Sequence, residues 1–154
     1  MAAFVLDTSA VVKRYIQETG TAWVRRITDP AAANLIYLAR ITDVEVTSAV
    51  IRRQRGGNLS AADAAATLTQ FRQDMVRAYR IIEVTPALLL AARSLAERQG
   101  LRAYDAVQLA AAVELNARWN AAGTGTITLV SADRELNAAA LAEGLAVDDP
   151  ANHP

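Results

Sequence analysis

Four acidic residues occupy similar places in the sequence, each beside a predicted junction between two secondary structure elements. Asp7 directly follows an apolar run, and Asp133 follows a β-branched run after two small residues. Glu45 and Asp105 fall in the first turns of two predicted helices. Carboxylates that surround a divalent cation can support attack of water on a phosphodiester. The chemistry that these residue types favour is therefore metal-assisted hydrolysis.

Bringing these carboxylates together has a cost that favours a cation. Two like charges ~4 Å apart repel by roughly 4 kcal/mol at an effective dielectric constant of about 20. A group of acids must therefore bind protons or a compensating ion. The chain contains no cysteine, and its one histidine, His153, lies beside the C-terminus. Oxygen ligands without His or Cys favour Mg²⁺ or Mn²⁺ over Zn²⁺.

Each acid also has a structural interpretation, and the residues alone leave it open. Acidic residues complement the helix dipole in a first turn. Glu45 would complete a capping box with Thr42, Asp105 would be a helix cap, and Asp133 would follow a Ser131 cap. Asp7 is different, because it places a charge beside the core where Thr8 or Ser9 would already cap the next helix.

The elements that must position these acids alternate between strand and helix. The patterns predict strands at 4–6, 34–38, 79–84, 126–130 and 145–147, with helices over 9–16, 21–28, 42–54, from Ser60, 86–99, 105–121 and up to Glu143. Strands that alternate with helices through short breaks favour a parallel sheet covered on both faces. We therefore predict an α/β three-layer sandwich with a central, mostly parallel sheet.

Length and composition indicate one domain. The chain has 154 residues, 53% hydrophobic and 21% charged, with a formal net charge of zero. We expect a single domain over 1–154, with 149–154 a flexible tail, and no signal peptide or membrane anchor. The lack of cysteine suits a cytoplasmic protein. Zero net charge means that binding of a polyanion would need a local basic patch or a metal.

Four stretches of the chain, in order, resemble the four acidic motifs of PIN-domain proteins. They are Phe4–Ala10 (FVLDTSA), Asp43–Ala49 (DVEVTSA), Leu101–Ala110 (LRAYDAVQLA) and Leu129–Leu136 (LVSADREL). The length and the style of the motifs are similar to those of the VapC toxins of toxin–antitoxin pairs.

That resemblance implies a Mg²⁺- or Mn²⁺-dependent endoribonuclease, the toxin of a type II toxin–antitoxin system. It implies a homodimer that a cognate antitoxin silences. The acids implied to bind metal and catalyse are Asp7, Glu45, Asp105 and Asp133. Hydroxyls that would orient a carboxylate or water are those of Ser9, Thr8 and Ser131.

Contacts with RNA and the activity itself have alternative interpretations. Basic residues that would contact backbone phosphates are Lys13, Arg14, Arg52, Arg53, Arg55, Arg102 and Arg134. The same residues also suit solvated helix faces or salt bridges. A non-catalytic PIN-like module that binds RNA or protein is the main alternative. A phosphatase using Asp7 is disfavoured, because Ser9 occupies the place where such enzymes usually carry a second acid.

Overall fold

The computed structural model describes residues 1–153, which form one parallel sheet between two layers of helices. The strands are β1 (Ala3–Leu6), β2 (Leu35–Ala39), β3 (Arg80–Ile82), β4 (Thr128–Val130) and β5 (Ala146–Asp148). The helices are α1 (Thr8–Tyr15), α2 (Thr21–Ile27), α3 (Thr42–Arg55), α4 (Ala61–Arg77), α5 (Pro86–Gln99), α6 (Ala103–Ala121) and α7 (Arg134–Ala142). Short 3-10 helices lie at Pro30–Ala32 and Pro150–Asn152. The predicted α/β three-layer fold is confirmed.

All strand pairs are parallel, and the order across the sheet is β3-β2-β1-β4-β5. From β1 the chain builds outward through β2 and β3, and it then returns to the other side of β1 to form β4. Ligand sites in open α/β sheets lie beyond the carboxyl ends of the strands where the order reverses. In this sheet that position is the end of β1 and β4.

Strand β1 separates two hydrophobic cores. Val5 packs on the side of α5, α6 and α7, whereas Leu6 packs on the side of α1 to α4, since successive side chains point to opposite faces. Both residues are fully buried. Burying an aliphatic side chain of this size contributes about 1.5–3 kcal/mol. The end of β1 is therefore held firmly from both faces of the sheet.

The starts of α1 and α3 differ from the predictions. Asp7, and not Thr8 or Ser9, caps α1, because its extended backbone places Oδ1 at 3.0 Å from the Ala10 amide. The capping box from Thr42 to Glu45 is wrong. Thr42 lies inside α3 and is fully buried, so its hydroxyl is not available as a cap.

The other helix boundaries follow the turn chemistry of the sequence. Ser60 and Thr85 cap α4 and α5 through their side chains, as expected for hydroxyl residues before a helix. Gly100 ends α5 with a φ of 68°, a left-handed conformation that glycine adopts without strain. Within residues 1–153, no helix has both the length and the apolar surface that a bilayer crossing needs.

Residues 149–153, predicted as part of a flexible tail, are placed beside α2. The ring of His153 stacks on Trp23 with centroids 4.2 Å apart, and its Nε2 lies 2.8 Å from Asp148 Oδ1. Pro154 lies outside the described residues. The mobility of this segment stays a prediction.

Candidate active site

A pocket of about 420 Å³ opens beyond the carboxyl ends of β1 and β4. Its lining includes all four predicted acids, Asp7, Glu45, Asp105 and Asp133. They come from the end of β1, the first turns of α3 and α6, and the start of α7. The sheet order thus brings together carboxylates that are far apart in sequence.

Asp7 is the buried centre of this pocket, with only 5% of its surface exposed. Ser9 Oγ donates to Asp7 Oδ1 at 2.7 Å, and Ser131 Oγ donates to Oδ2 at 3.0 Å. Burial raises the pKa of Asp7 to about 7, although these hydrogen bonds oppose the shift. The negative charge of Glu45 raises it further. The ionised carboxylate is therefore costly here without a cation.

Glu45 is held by a buried amide of α6. Gln108 Nε2 donates to Glu45 Oε1 at 2.8 Å and to Thr42 Oγ1 at 3.0 Å. Burial raises the pKa of Glu45, and the charge of Asp105 adds to the effect. Gln108 is 1% exposed, so it fixes the direction of the Glu45 carboxylate from within the core.

Asp105 and Asp133 form the outer part of the pocket. The prediction of Asp105 as a helix cap is wrong, because α6 begins at Ala103 and Asp105 is its third residue. Burial, followed by the charge of Asp133, raises the pKa of Asp105. Asp133 caps α7, where its Oδ1 accepts from the Leu136 amide at 3.0 Å. The predicted Ser131 cap is wrong, because the Ser131 hydroxyl is directed to Asp7. The capping hydrogen bond uses Oδ1 of Asp133 and not Oδ2.

The three predicted hydroxyl residues all lie near Asp7. Ser9 and Ser131 bind its carboxylate directly, and Ser131 Oγ also accepts from the Asp133 amide at 3.0 Å. Thr8 lines the pocket, and its buried hydroxyl makes no well-formed hydrogen bond. It nevertheless lies close enough to Glu45 to oppose the rise in the pKa of that carboxylate. This network links the ends of β1 and β4.

Five of the seven basic residues predicted to contact RNA lie near the acids. Those that line the pocket or an adjoining groove are Lys13, Arg52, Arg53, Arg102 and Arg134. Arg14 lines a different pocket, where its guanidinium binds Thr28 and Asp74. Arg55, the last residue of α3, lines neither the pocket nor the groove. The contact of these residues with RNA stays a prediction.

The donor set fits Mg²⁺ or Mn²⁺. Its polar atoms are carboxylate and hydroxyl oxygens, and burial disfavours the ionised forms of three of the acids, which a cation would stabilise. Among residues 1–153, no three His, Cys, Asp or Glu side chains form a group compact enough to hold an ion. Mg²⁺ is commonly held by one or two carboxylates together with waters and a substrate phosphate, so it does not require three protein ligands in one compact group.

Two residues that contact the lining of the pocket were not predicted as site residues. Gln108 is the one polar residue in the run Val107–Val113, and a lone polar residue in an apolar helix is a signal of a buried contact. Glu18 lies in the segment between α1 and α2 and pairs with two cations of the pocket, Lys13 and Arg53. The residues around Glu18 in the sequence give no signal of these two ion pairs.

Comparisons with known proteins agree with this geometry. The family model described as PIN domain matches residues 4–141. No curated protein sequence shows a significant match. Similar solved structures include PAE2754 from Pyrobaculum aerophilum, with a TM-score of 0.65 and 20% identity, over 99% of this chain and 86% of that one.

Two further structures cover most of both chains. VapBC2 from Rickettsia felis, solved bound to a DNA fragment from its promoter, has a TM-score of 0.63 and 16% identity, over 96% of this chain and 98% of that one. Mycobacterium tuberculosis VapC20, described as a toxin that cleaves the sarcin–ricin loop, has a TM-score of 0.61 and 17% identity, over 88% of this chain and 94% of that one. Identities this low establish the fold alone.

Proposed function

This chain belongs to the PIN domain family, and on that basis we propose that it is a metal-dependent endoribonuclease that hydrolyses RNA phosphodiester bonds. The observation that carries the proposal is the buried Asp7, held by two hydroxyls in a pocket that Glu45, Asp105 and Asp133 also line. Burying a carboxylate among other acids is costly unless a cation binds there.

The four acids would hold one or more divalent ions, Mg²⁺ or Mn²⁺. Such an ion, when bound, polarises a phosphoryl oxygen and makes hydroxide available near neutral pH. Ser9 and Ser131 would keep the Asp7 carboxylate oriented by donating to its two oxygens. Gln108 would do the same for Glu45. These contacts fix the ligands before the ion binds, which reduces the reorganisation needed at the site.

The biological role that we propose is that of a VapC-like toxin in a type II toxin–antitoxin system. The structural similarity to VapBC2 and to VapC20, a toxin that cleaves RNA, supports it. On this proposal the protein acts in the cytoplasm as a homodimer, and a cognate antitoxin is its partner. A gene for a small DNA-binding protein beside its own gene would be expected.

The test is cleavage of RNA by the purified protein with and without divalent metal. We expect cleavage with Mg²⁺ or Mn²⁺ and none after addition of EDTA. Asp7→Asn should abolish cleavage. Asp63→Asn is a matched control, because Asp63 lies in the first turn of α4 and outside the pocket. Equal cleavage by Asp7→Asn and the parent protein would refute the assignment.

A non-catalytic module that binds RNA or protein is the alternative. One observation favours it, namely that no compact group of three metal-binding side chains occurs within residues 1–153. Calorimetric titration with Mn²⁺ separates the two proposals. Binding of Mn²⁺ that is lost in Asp7→Asn supports the nuclease, whereas RNA binding without bound metal or turnover supports the module.

A further inference from the structure

Part of the pocket lining is an ion-paired triad, which we define as Lys13, Glu18 and Arg53. Lys13 Nζ donates to Glu18 Oε2 at 3.1 Å, and Arg53 Nη2 donates to Glu18 Oε1 at 2.5 Å. All three residues line the same pocket as the four acids. The triad contains two positive charges and one negative charge, so the Glu18 carboxylate neutralises only one of the two cations.

Glu18 is not available as a metal ligand, because each of its carboxylate oxygens accepts from a cation. Burial alone would raise the pKa of Glu18, but the hydrogen bonds from Arg53 and Lys13 outweigh it and lower the pKa below its ordinary value. Glu18 is thus an anion held against two cations. Its role therefore differs from that of the four acids, which would bind metal.

The two cations do not need Glu18 to stay in place. Lys13 belongs to α1 and is 8% exposed, so α1 and its neighbours hold its aliphatic chain. Arg53 belongs to α3, and its Nη1 also donates to the Ala49 carbonyl at 3.2 Å. Glu18, in contrast, lies between α1 and α2, outside helix and strand, with 29% of its side chain exposed.

Hydrogen bonds of the backbone hold Glu18 in this position. The Glu18 amide donates to Thr21 Oγ1 at 2.9 Å, and the Thr21 amide donates to the Glu18 carbonyl at 3.1 Å. Thr21 is 1% exposed at the start of α2. The backbone is therefore fixed, while the exposed part of the side chain can leave the cations by rotation about its own bonds.

We infer that Lys13 and Arg53 form a binding site for a backbone phosphate of single-stranded nucleic acid, and that Glu18 occupies this site until the phosphate displaces it. The inference rests on the proposed function for its ligand, since a strand whose scissile phosphate lies at the acids carries further phosphates across the same pocket. The nearly buried Lys13 is stabilised by an anionic partner, because an unpaired buried charge is costly. Either Glu18 or a phosphate can be that partner.

The test measures binding of a short fluorescein-labelled single-stranded RNA by fluorescence anisotropy. The full chain carries Asp7→Asn and EDTA is present, so that cleavage does not interfere. Binding is measured over a series of salt concentrations that begins at low salt. Removing the resident anion in Glu18→Gln should tighten binding by about threefold to tenfold, the range expected for the net contribution of one typical hydrogen bond. Lys13→Gln and Arg53→Gln should each weaken binding, and each should reduce the slope of log K against log salt by about 0.7.

Glu143→Gln is the matched control. It removes the same charge from an ion pair, that with Arg98, at the end of α7 and outside the pocket. Glu143→Gln should change binding by less than Glu18→Gln does. Weaker or unchanged binding in Glu18→Gln overturns the inference, since it would make Glu18 only an anchor for the cations or a bystander. Thermal unfolding of each variant confirms that the comparison is between folded proteins.

The result is distinguishable from failure of the proposed function. If the parent protein cleaves RNA but the Glu18, Lys13 and Arg53 variants bind it as the Asp7→Asn protein does, the phosphate site is refuted and the nuclease stands. If binding shifts as expected but the parent protein cleaves no RNA with any divalent metal, the nuclease is refuted and the phosphate site stands.

Discussion

Replacing Asp7 by asparagine should stabilise the metal-free protein while removing its activity. The substitution keeps the shape of the side chain and removes a charge that lies 5% exposed beside Glu45. Asparagine can still cap α1 through its carbonyl oxygen, because it is as good an N-cap as aspartate. The gain therefore comes from the charge and not from a change in the helix.

The size of the effect follows from the pKa of Asp7, which is about 7 in the folded protein against an ordinary value of 3.8. A raised pKa means that the contribution of the protonated carboxyl is fully present below pH 3.8 and is lost as the pH rises through about 7. Roughly three pKa units at about 1.4 kcal/mol each give a ceiling of about 4 kcal/mol at alkaline pH. Losing one acceptor for Ser131 costs about 1 kcal/mol. A net gain of about 1 to 3 kcal/mol remains, or a Tm higher by roughly 3 to 9 °C.

The assay is urea or thermal unfolding of both proteins in EDTA, at mildly acidic and at alkaline pH. Asp7→Asn should be more stable at alkaline pH, and its advantage should shrink as the pH falls toward 4. Adding Mg²⁺ should stabilise the parent protein more than the variant, because only a ligand that binds the folded state raises stability. A variant that is less stable than the parent at alkaline pH, or an advantage that does not depend on pH, would refute the reasoning.

Three further substitutions test the positioning of the site and the fold. Gln108→Leu leaves the buried Thr42 hydroxyl and the half-buried Glu45 carboxylate without this donor, so we expect a loss of about 1–3 kcal/mol in urea unfolding together with slower RNA cleavage. Ser131→Ala removes a hydrogen bond to Asp7 and should weaken Mn²⁺ binding about tenfold or more by calorimetry, with the fold retained in the circular dichroism spectrum. Gly20→Ala should cost on the order of 2–4 kcal/mol in thermal unfolding, because φ is 86° and a Cβ would meet the backbone of the C-terminal 3-10 helix. Gly123→Ala is the control, because φ is 67° there but no atom lies within 4 Å of the new Cβ. An equal loss of stability in both variants would show that the contact with the 3-10 helix contributes nothing to the effect.

Much of the fold could be predicted because local patterns and tertiary packing agree. The apolar run before Asp7 is a strand, and the inner stripe Val46, Ala49 and Val50 of α3 is buried as its spacing predicts. Strand β4 is shorter than its β-branched run. The amide of Ile127 donates to Asn116 Oδ1 at 3.1 Å, so a side chain replaces the neighbouring strand there.

The positions of the acids could be predicted, but the contacts that orient them could not. Each acid follows a strand or opens a helix, and those signals are local. The Gln108 amide reaches Glu45 across 63 residues of sequence, and Arg53 reaches Glu18 across 35. Such contacts depend on which helices become neighbours in the folded protein. The same is true of Asp7, which caps α1 through Oδ1 while its Oδ2 accepts from Ser131, the residue that follows β4.

The most direct test of the central claim is a crystal of the protein grown or soaked with Mn²⁺ and measured for anomalous scattering. The account predicts a peak within coordinating distance of Asp7 in the pocket between the ends of β1 and β4, and its loss in Asp7→Asn. A peak bound elsewhere on the protein, or a pocket that stays without one at saturating Mn²⁺, would contradict it.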